Sequence, residues 1–140
     1  MACEVEVRHS FSAPASLVWR GLTSADALRR WFWPEQSYGT SAETDLRVGG
    51  RYLIAGPRAG IAVSGRYTLI EPCQRLGFTW QWDGEADASE VVIELTDTEM
   101  GTDIVVTHAG LPDEAAAENH SKGWSDCLAR LPMWLASADA

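Results

Sequence analysis

Cysteine is scarce in this sequence, and its few positions do not pair. Cys3, Cys73 and Cys127 are odd in number and far apart, and none belongs to a C-x-x-C motif. A disulfide framework needs an even set of cysteines, and a structural zinc site needs ligands at characteristic short spacings. The cysteine pattern therefore predicts neither a disulfide framework nor a zinc site.

Long apolar runs are also missing. No stretch approaches the roughly 18 consecutive apolar residues of a membrane-spanning helix. The N-terminal sequence MACEVEV alternates charged and apolar side chains and contains no apolar core of a secretory signal. We therefore expect a cytoplasmic protein.

Positive charge is in short supply. The chain has 11 lysine and arginine residues against 20 aspartate and glutamate residues, which gives a formal net charge of −9. Nucleic acids and anionic membrane surfaces are both bound through clustered positive charge. We therefore expect no nucleic-acid partner and no membrane partner.

Motifs of catalysis and cofactor binding are absent as well. The sequence contains no nucleophile elbow, P-loop, dinucleotide fingerprint or metal-ligand signature. We therefore predict no catalytic residues, no cofactor and no bound metal.

Tryptophan is what the sequence has in excess, with seven in 140 residues. This large apolar side chain fills cores or contacts ligands, and it carries one N–H donor. A chain of this length forms one domain that buries roughly 68–70% of its unfolded surface, so a hydrophobic core needs no covalent support. We expect a single domain over residues 1–140.

Alternation of apolar and polar residues predicts strands. Val5, Val7, His9 and Phe11 alternate with polar side chains, which is typical of a strand with one buried face. Further strands are predicted over residues 51–55, 61–70, 75–82, 89–96 and 102–108, separated by turn sequences rich in glycine and proline. Strands that follow one another without intervening helices pair antiparallel.

Helices are predicted before and after this run of strands. Two short helices follow the first strand, and the segment Thr23–Asp26 has capping-box spacing with Thr23 as the capping residue. A long C-terminal helix is predicted over residues 113–136, about 36 Å long at 1.5 Å per residue. Its buried face recurs at helical spacing and comprises His120, Trp124, Cys127, Leu131 and Trp134. Pro132 predicts a kink or an early end.

These elements predict an α+β fold. One antiparallel sheet of six or seven strands coils because strands twist, and the long helix lies across its concave side. We expect an apolar cavity between the sheet and this helix.

Residues along most of the chain carry a family resemblance, from about residue 5 to 135. The segments that carry it are FSAP at 11–14, Val18-Trp19, Leu22-Thr23, Trp31, Pro34, DLRVGGRY at 45–52, GRY at 65–67, FTW at 78–80, Gly101-Thr102, Thr107-His108, GLP at 110–112, HSKGW at 120–124, Leu128 and Leu131. This pattern resembles the activator of heat-shock protein 90 ATPase homologue family. The resemblance implies the START-like, or helix-grip, fold of the SRPBCC superfamily.

What the resemblance implies about activity is broad. The superfamily includes lipid carriers, plant hormone binders, aromatic polyketide cyclases and chaperone co-activators, and a shared fold does not choose among them. The family name also connects the resemblance with the stress response and with a chaperone partner.

The aromatic residues are the strongest candidates for a ligand-binding site. We predict that a set of them lines the cavity: Trp31, Trp33, Tyr67, Phe78, Trp80, Trp82 and Trp124. The alternative for each of them is ordinary core packing.

His108 and His120 are the second group of candidates. If both face inward, they offer polar groups that orient a ligand or transfer protons. The alternative, which we favour, is that one or both are structural, with hydrogen bonds to backbone near the start of the C-terminal helix.

Two further residues are expected to be structural. Arg47 is either an anion clamp or, as we favour, the partner of the Asp45 carboxylate at the Gly49-Gly50 turn. Cys127 is predicted to be a small buried residue, since no base can be assigned to activate its thiol.

Three functions remain open from the sequence. The first is the binding of a hydrophobic small molecule in the internal cavity, with no catalysis evident. The second is a cyclase or dehydratase that uses a cavity histidine as general base. The third is a protein-interaction module with a chaperone partner. Either a monomer or a homodimer is compatible with each of these.

Overall fold

The computed structural model describes residues 3–138, in which seven strands and four α-helices are formed. The strands are β1 (Cys3–Phe11), β2 (Ser41–Thr44), β3 (Arg51–Gly56), β4 (Ile61–Glu71), β5 (Arg75–Trp82), β6 (Ser89–Thr98) and β7 (Gly101–Leu111). The helices are α1 (Ala15–Thr23), α2 (Ala25–Trp31), α3 (Glu114–Leu128) and α4 (Leu131–Ala138), and one 3-10 turn covers Gln36–Tyr38.

All seven strands form one antiparallel sheet in the order β1-β7-β6-β5-β4-β3-β2. Every neighbour from β2 to β7 is also adjacent in sequence, so tight turns suffice, whereas β1 crosses over to pair with β7. The predicted curved antiparallel sheet is confirmed, and so are the two short helices after β1.

Strand β2 is the element that the sequence pattern does not predict. It pairs with β3, with Ala42 opposite Ile54, but Ala42 is its only buried residue. One small apolar side chain in four residues gives no alternation to detect.

The start of α2 differs from the predicted capping box. Ser24, not Thr23, is the capping residue, and its side-chain oxygen accepts a hydrogen bond from the Ala27 amide at 3.4 Å. Thr23 lies in the last turn of α1, where its hydroxyl donates to the Trp19 carbonyl at 2.8 Å. A capping residue needs an extended backbone, which only Ser24 has here.

The C-terminal helical region covers residues 114–138 and breaks once, as Pro132 predicts. Helix α3 ends at Leu128, and α4 begins at Leu131 after a two-residue turn. Pro132 is thereby the second residue of α4, where its missing N–H leaves no helical hydrogen bond unmade. Because α3 packs against β1 and β7, it spans one face of the sheet, which together with the curved sheet matches the helix-grip fold.

The core lies between this face of the sheet and the helices. Val63, Val106, Leu128 and Leu131 are fully buried there. Among residues 3–138, no helix is both long and apolar enough to span a bilayer.

Candidate functional site

Strand β5 presents a row of aromatic rings to α3. Because side chains alternate along a strand, Phe78, Trp80 and Trp82 share one face. The Trp80 ring lies 5.2 Å from that of Trp124 on α3, measured between centroids. The aromatic side chains of β5 and α3 thus form a layer between the sheet and the helix.

This layer contains an open cavity at one end. Its volume is about 230 Å³, and none of its lining side chains carries a formal charge. The lining residues come from the segment after α2, from β4 and β5, and from α3: Phe32, Trp33, Pro34, Tyr38, Ile61, Trp80, Trp82, Asn119, His120, Gly123, Trp124 and Cys127. We call this space the outer cavity.

The other end of the layer is nearly filled. A space of only about 30 Å³ remains beneath α1 and α2, where the rings of Trp31, Tyr52, Tyr67 and Phe78 meet. The Tyr52 hydroxyl donates to the Thr79 carbonyl at 2.6 Å, which fixes that ring in place. We call this space the inner void.

Trp33 forms part of the wall of the outer cavity in an unusual conformation. Its φ is 73°, in the left-handed region that bulky side chains rarely adopt. The Arg130 guanidinium donates to the Trp33 carbonyl at 2.8 Å and to the Phe32 carbonyl at 3.2 Å. The Trp33 ring stacks on that of Trp82 at 5.8 Å. Arg130, from the turn between α3 and α4, therefore fixes the backbone that positions the Trp33 ring in the cavity wall.

His108 on β7 is fully buried, and both of its ring nitrogens have partners. Its Nδ1 accepts the Trp124 indole N–H at 3.1 Å, so the proton is assigned to Nε2, which donates to the Ser89 hydroxyl at 2.7 Å. Burial, and secondarily the neighbouring His120 ring, lowers the pKa of His108 to about 3. This imidazole is therefore neutral at physiological pH.

His120 on α3 is held in the same way. The Trp82 indole N–H donates to its Nε2 at 3.0 Å, and its Nδ1–H donates to the Ala116 carbonyl at 2.7 Å. The two imidazole rings lie 4.9 Å apart. Neither histidine therefore has a ring nitrogen left for a ligand or for proton transfer.

The predicted cavity residues divide among three environments. Five of them line the outer cavity: Trp33, Trp80, Trp82, His120 and Trp124. Trp31, Tyr67 and Phe78 line the inner void instead, because α1 and α2 cover that part of the sheet. His108 lines neither space, since Ser89 and Trp124 enclose it.

Several residues of the outer cavity were not among the predicted cavity residues, although Cys127 was predicted to lie on the buried face of the C-terminal helix. Asn119, Gly123 and Cys127 recur every four residues along α3 and face the cavity. Their small or short side chains leave room beside the tryptophans. Helical spacing from Trp124 could have indicated these three residues, but the prediction of cavity residues on this helix was based on its bulky side chains.

Cys127 and Arg47 are both engaged in structural contacts. The Cys127 thiol accepts a hydrogen bond from the Trp33 backbone, and burial raises its pKa to about 12. Arg47 contacts the Asp45 carboxylate at 2.8 Å, as the favoured alternative predicts, and this hydrogen bond raises its pKa. Within residues 3–138, no group of three or more histidine, cysteine or acidic residues is placed to hold a metal.

Comparisons with known proteins identify relatives of the whole chain. The sequence model of the family described as "Activator of Hsp90 ATPase homolog 1-like protein" matches residues 12–136. No curated protein matches the chain.

Solved structures share the fold over nearly the full length. Protein CV1439 from Chromobacterium violaceum is 29% identical, with a TM-score of 0.79, and the match covers 93% of this chain and 95% of that one. Protein MLL2253 from Mesorhizobium loti is 23% identical, with a TM-score of 0.84 and coverage of 99% and 100%. DynU16, a protein in the dynemicin biosynthetic locus, is 23% identical over 96% of this chain and 48% of its own, with a TM-score of 0.82.

Proposed function

We propose that this chain, which belongs to the Activator of Hsp90 ATPase homolog 1-like family, binds an apolar or aromatic small molecule in the outer cavity. The SRPBCC superfamily that contains this family commonly binds hydrophobic ligands. The single observation that carries the proposal is an uncharged cavity of about 230 Å³ walled by four tryptophans. Aromatic walls of this kind favour flat ligands.

The hydrogen bonds around the cavity support binding more than catalysis. A general base needs a nitrogen that can take a proton from the substrate. The four ring nitrogens of His108 and His120 are all occupied by protein groups. The cyclase or dehydratase hypothesis would require breaking at least one of these bonds. The chaperone-partner hypothesis gains no support from the cavity.

Calorimetric titration with 2-naphthalenemethanol tests the proposal. This probe is neutral, flat and small, so it matches the uncharged aromatic walls. We expect saturable binding at one molecule per chain. Absence of measurable heat and of any shift in melting temperature would overturn the proposal.

A matched pair of variants locates the probe. Gly123 lines the cavity, and an added Cβ there meets nothing within 4 Å, so we expect the ring of Gly123→Phe to occupy this space. Ser125→Phe adds the same ring on the exposed side of α3. We expect Gly123→Phe to abolish binding while circular dichroism shows a folded protein, and Ser125→Phe to retain it. Equal binding by both variants would place the probe elsewhere.

A further inference from the structure

One hydrogen bond fixes the Trp82 ring in the wall of the outer cavity. Trp82 is the last residue of β5, and its indole N–H donates to Nε2 of His120 on α3 at 3.0 Å. Its ring lines the cavity and stacks on that of Trp33, with 5.8 Å between the centroids. Because Trp82 lies at the end of its strand, the bond to α3 sets the position of this part of the wall.

This bond exists only while His120 is neutral. An indole nitrogen donates and does not accept, so Nε2 of His120 has to present a lone pair to the Trp82 N–H. Nδ1 carries the ring proton and donates it to the Ala116 carbonyl at 2.7 Å. A second proton has to bind at Nε2, where one donor would then face another. Protonation of His120 therefore breaks its bond to Trp82.

His120 is open to protons from solvent, whereas His108 is not. His120 is half-buried and also lines a groove of about 810 Å³ between the turn after β5 and the junction of β7 with α3. His108 is fully buried, and its pKa of about 3 keeps it neutral over the range in which histidines ordinarily titrate.

The charged and titratable groups around His120 do not oppose a proton there. They are the neutral His108 ring on β7, 4.9 Å away between centroids, and the Glu85 and Asp87 carboxylates, which line the same groove. No lysine or arginine of the described chain lines the groove or the outer cavity. A proton on His120 therefore meets no fixed positive charge in either space.

We infer that His120 is a positioning residue of the outer cavity, and that a proton on it weakens the binding of an aromatic ligand there. The inference rests on the proposed function, because the ligand has to occupy this cavity. While His120 is neutral, the Trp82 ring is already held beside the space that the ligand fills. Once the bond is broken, ligand binding has to order this ring, and affinity is lost. Histidines change charge between about pH 5 and 8, so affinity should fall as the pH is lowered through this range.

Nuclear magnetic resonance tests the hydrogen-bond switch without a ligand. In protein with ¹⁵N-labelled tryptophan, the indole N–H signal of Trp82 is the one missing from Trp82→Phe. Between pH 7.5 and 5.5 we expect this signal to shift in step with the titration of the His120 ring. The Trp124 N–H, which donates to neutral His108, should shift far less. A Trp82 signal that stays in place, or a His120 ring that does not titrate over this range, would overturn the inference.

The affinity for 2-naphthalenemethanol tests the effect on the ligand, because this probe has no group that titrates in the same range. Circular dichroism first establishes that the protein is folded at both pH values. We expect the unmodified protein to bind the probe about 3- to 10-fold more weakly at pH 5.5 than at pH 7.5. His9→Gln removes a histidine of β1 that lines neither space, and it should retain this ratio.

Two substitutions of His120 separate the role of its acceptor from that of its bulk. His120→Gln offers an amide oxygen to the Trp82 N–H and cannot be protonated, so its affinity should change less than about twofold between the two pH values. His120→Leu supplies bulk without an acceptor, and at pH 7.5 it should bind the probe about 3- to 10-fold more weakly than His120→Gln. A pH ratio that His120→Gln retains, or equal affinity of the two variants at pH 7.5, would overturn the positioning role.

The outcomes separate this inference from the proposed function. Equal affinity of the unmodified protein for the probe at pH 7.5 and 5.5 would overturn the inference and leave the aromatic cavity standing. Absence of binding at both pH values would overturn the proposed function, and the indole signal of Trp82 would still decide whether a proton on His120 releases this ring.

Discussion

The two ends of the aromatic layer have similar composition and opposite packing. At the inner void, the rings of Tyr52, Tyr67 and Phe78 approach one another at 5.4–6.5 Å and leave about 30 Å³. At the outer cavity, the tryptophans stand around about 230 Å³. Abundant aromatic residues therefore do not by themselves predict where a cavity lies.

The difference follows from the elements that supply the rings. Tyr52, Tyr67 and Phe78 come from the adjacent strands β3, β4 and β5, which the hydrogen-bond ladder holds about 4.8 Å apart. Rings at that spacing interlock. At the outer cavity the walls come from β4 and β5, from α3 and from the segment after α2. No ladder sets the distance of the helix and of this segment from the strands. The small side chains of Gly123 and Cys127 then keep α3 from filling the space.

Removal of the Trp124 side chain would connect the inner void with the outer cavity. Among the predicted changes it should lower the free energy of unfolding most. Trp124 lines both spaces, is 4% exposed and donates its N–H to His108. Trp124→Ala should lower the free energy of unfolding by about 3–5 kcal/mol, because the ring leaves a void that the strands cannot close. Urea denaturation measures this loss. An unchanged unfolding midpoint would mean that the ring contributes nothing to the packing of α3 on the sheet.

Lowering the pH should reduce the free energy of unfolding, because His108 is buried in its neutral form. An unfolded histidine has a pKa of about 6.5, whereas that of folded His108 is about 3. Between these values the unfolded chain binds a proton that the folded protein excludes, so stability falls as the pH falls. The loss due to His108 between pH 7 and pH 4 is on the order of 3 kcal/mol.

A variant isolates this contribution from that of the other titrating groups. His108→Gln retains a donor and an acceptor for Ser89 and Trp124 but cannot take up the proton. Urea denaturation at several pH values should show a shallower acid dependence for the variant than for the unmodified protein. Parallel pH profiles would contradict the assigned neutral state.

The fold could be predicted from the sequence because its elements follow local patterns. Alternation marked β1, turn sequences bounded β3 to β7, and Pro132 predicted the interruption of the C-terminal helix. Capping was harder to predict, since Thr23 and Ser24 are both suitable residues and only the end of α1 decides between them.

The site could be predicted only in part, because its decisive contacts are distant in sequence. The row on β5 followed from period two, but the covering of Phe78 by α1 and α2 is tertiary. The partners that saturate His108 lie 19 and 16 residues away, on β6 and α3. The left-handed backbone of Trp33 is stabilised by Arg130, and no propensity favours it at a tryptophan.

Gly123→Ala should change the free energy of unfolding least, and it should raise this free energy where the other changes lower it. Gly123 lies inside α3, where glycine is about 0.5–1 kcal/mol less favourable than alanine because it loses more backbone freedom on folding. A Cβ at this position meets nothing within 4 Å, so the gain should be realised without strain and show as a higher urea midpoint. Gly65→Ala is the contrasting control, since a Cβ there would overlap the Thr79 carbonyl on the neighbouring strand and should destabilise the protein. If Gly123→Ala were also destabilising, α3 would lie closer to the sheet than the outer cavity allows, and the contrast between the open and the filled end would disappear.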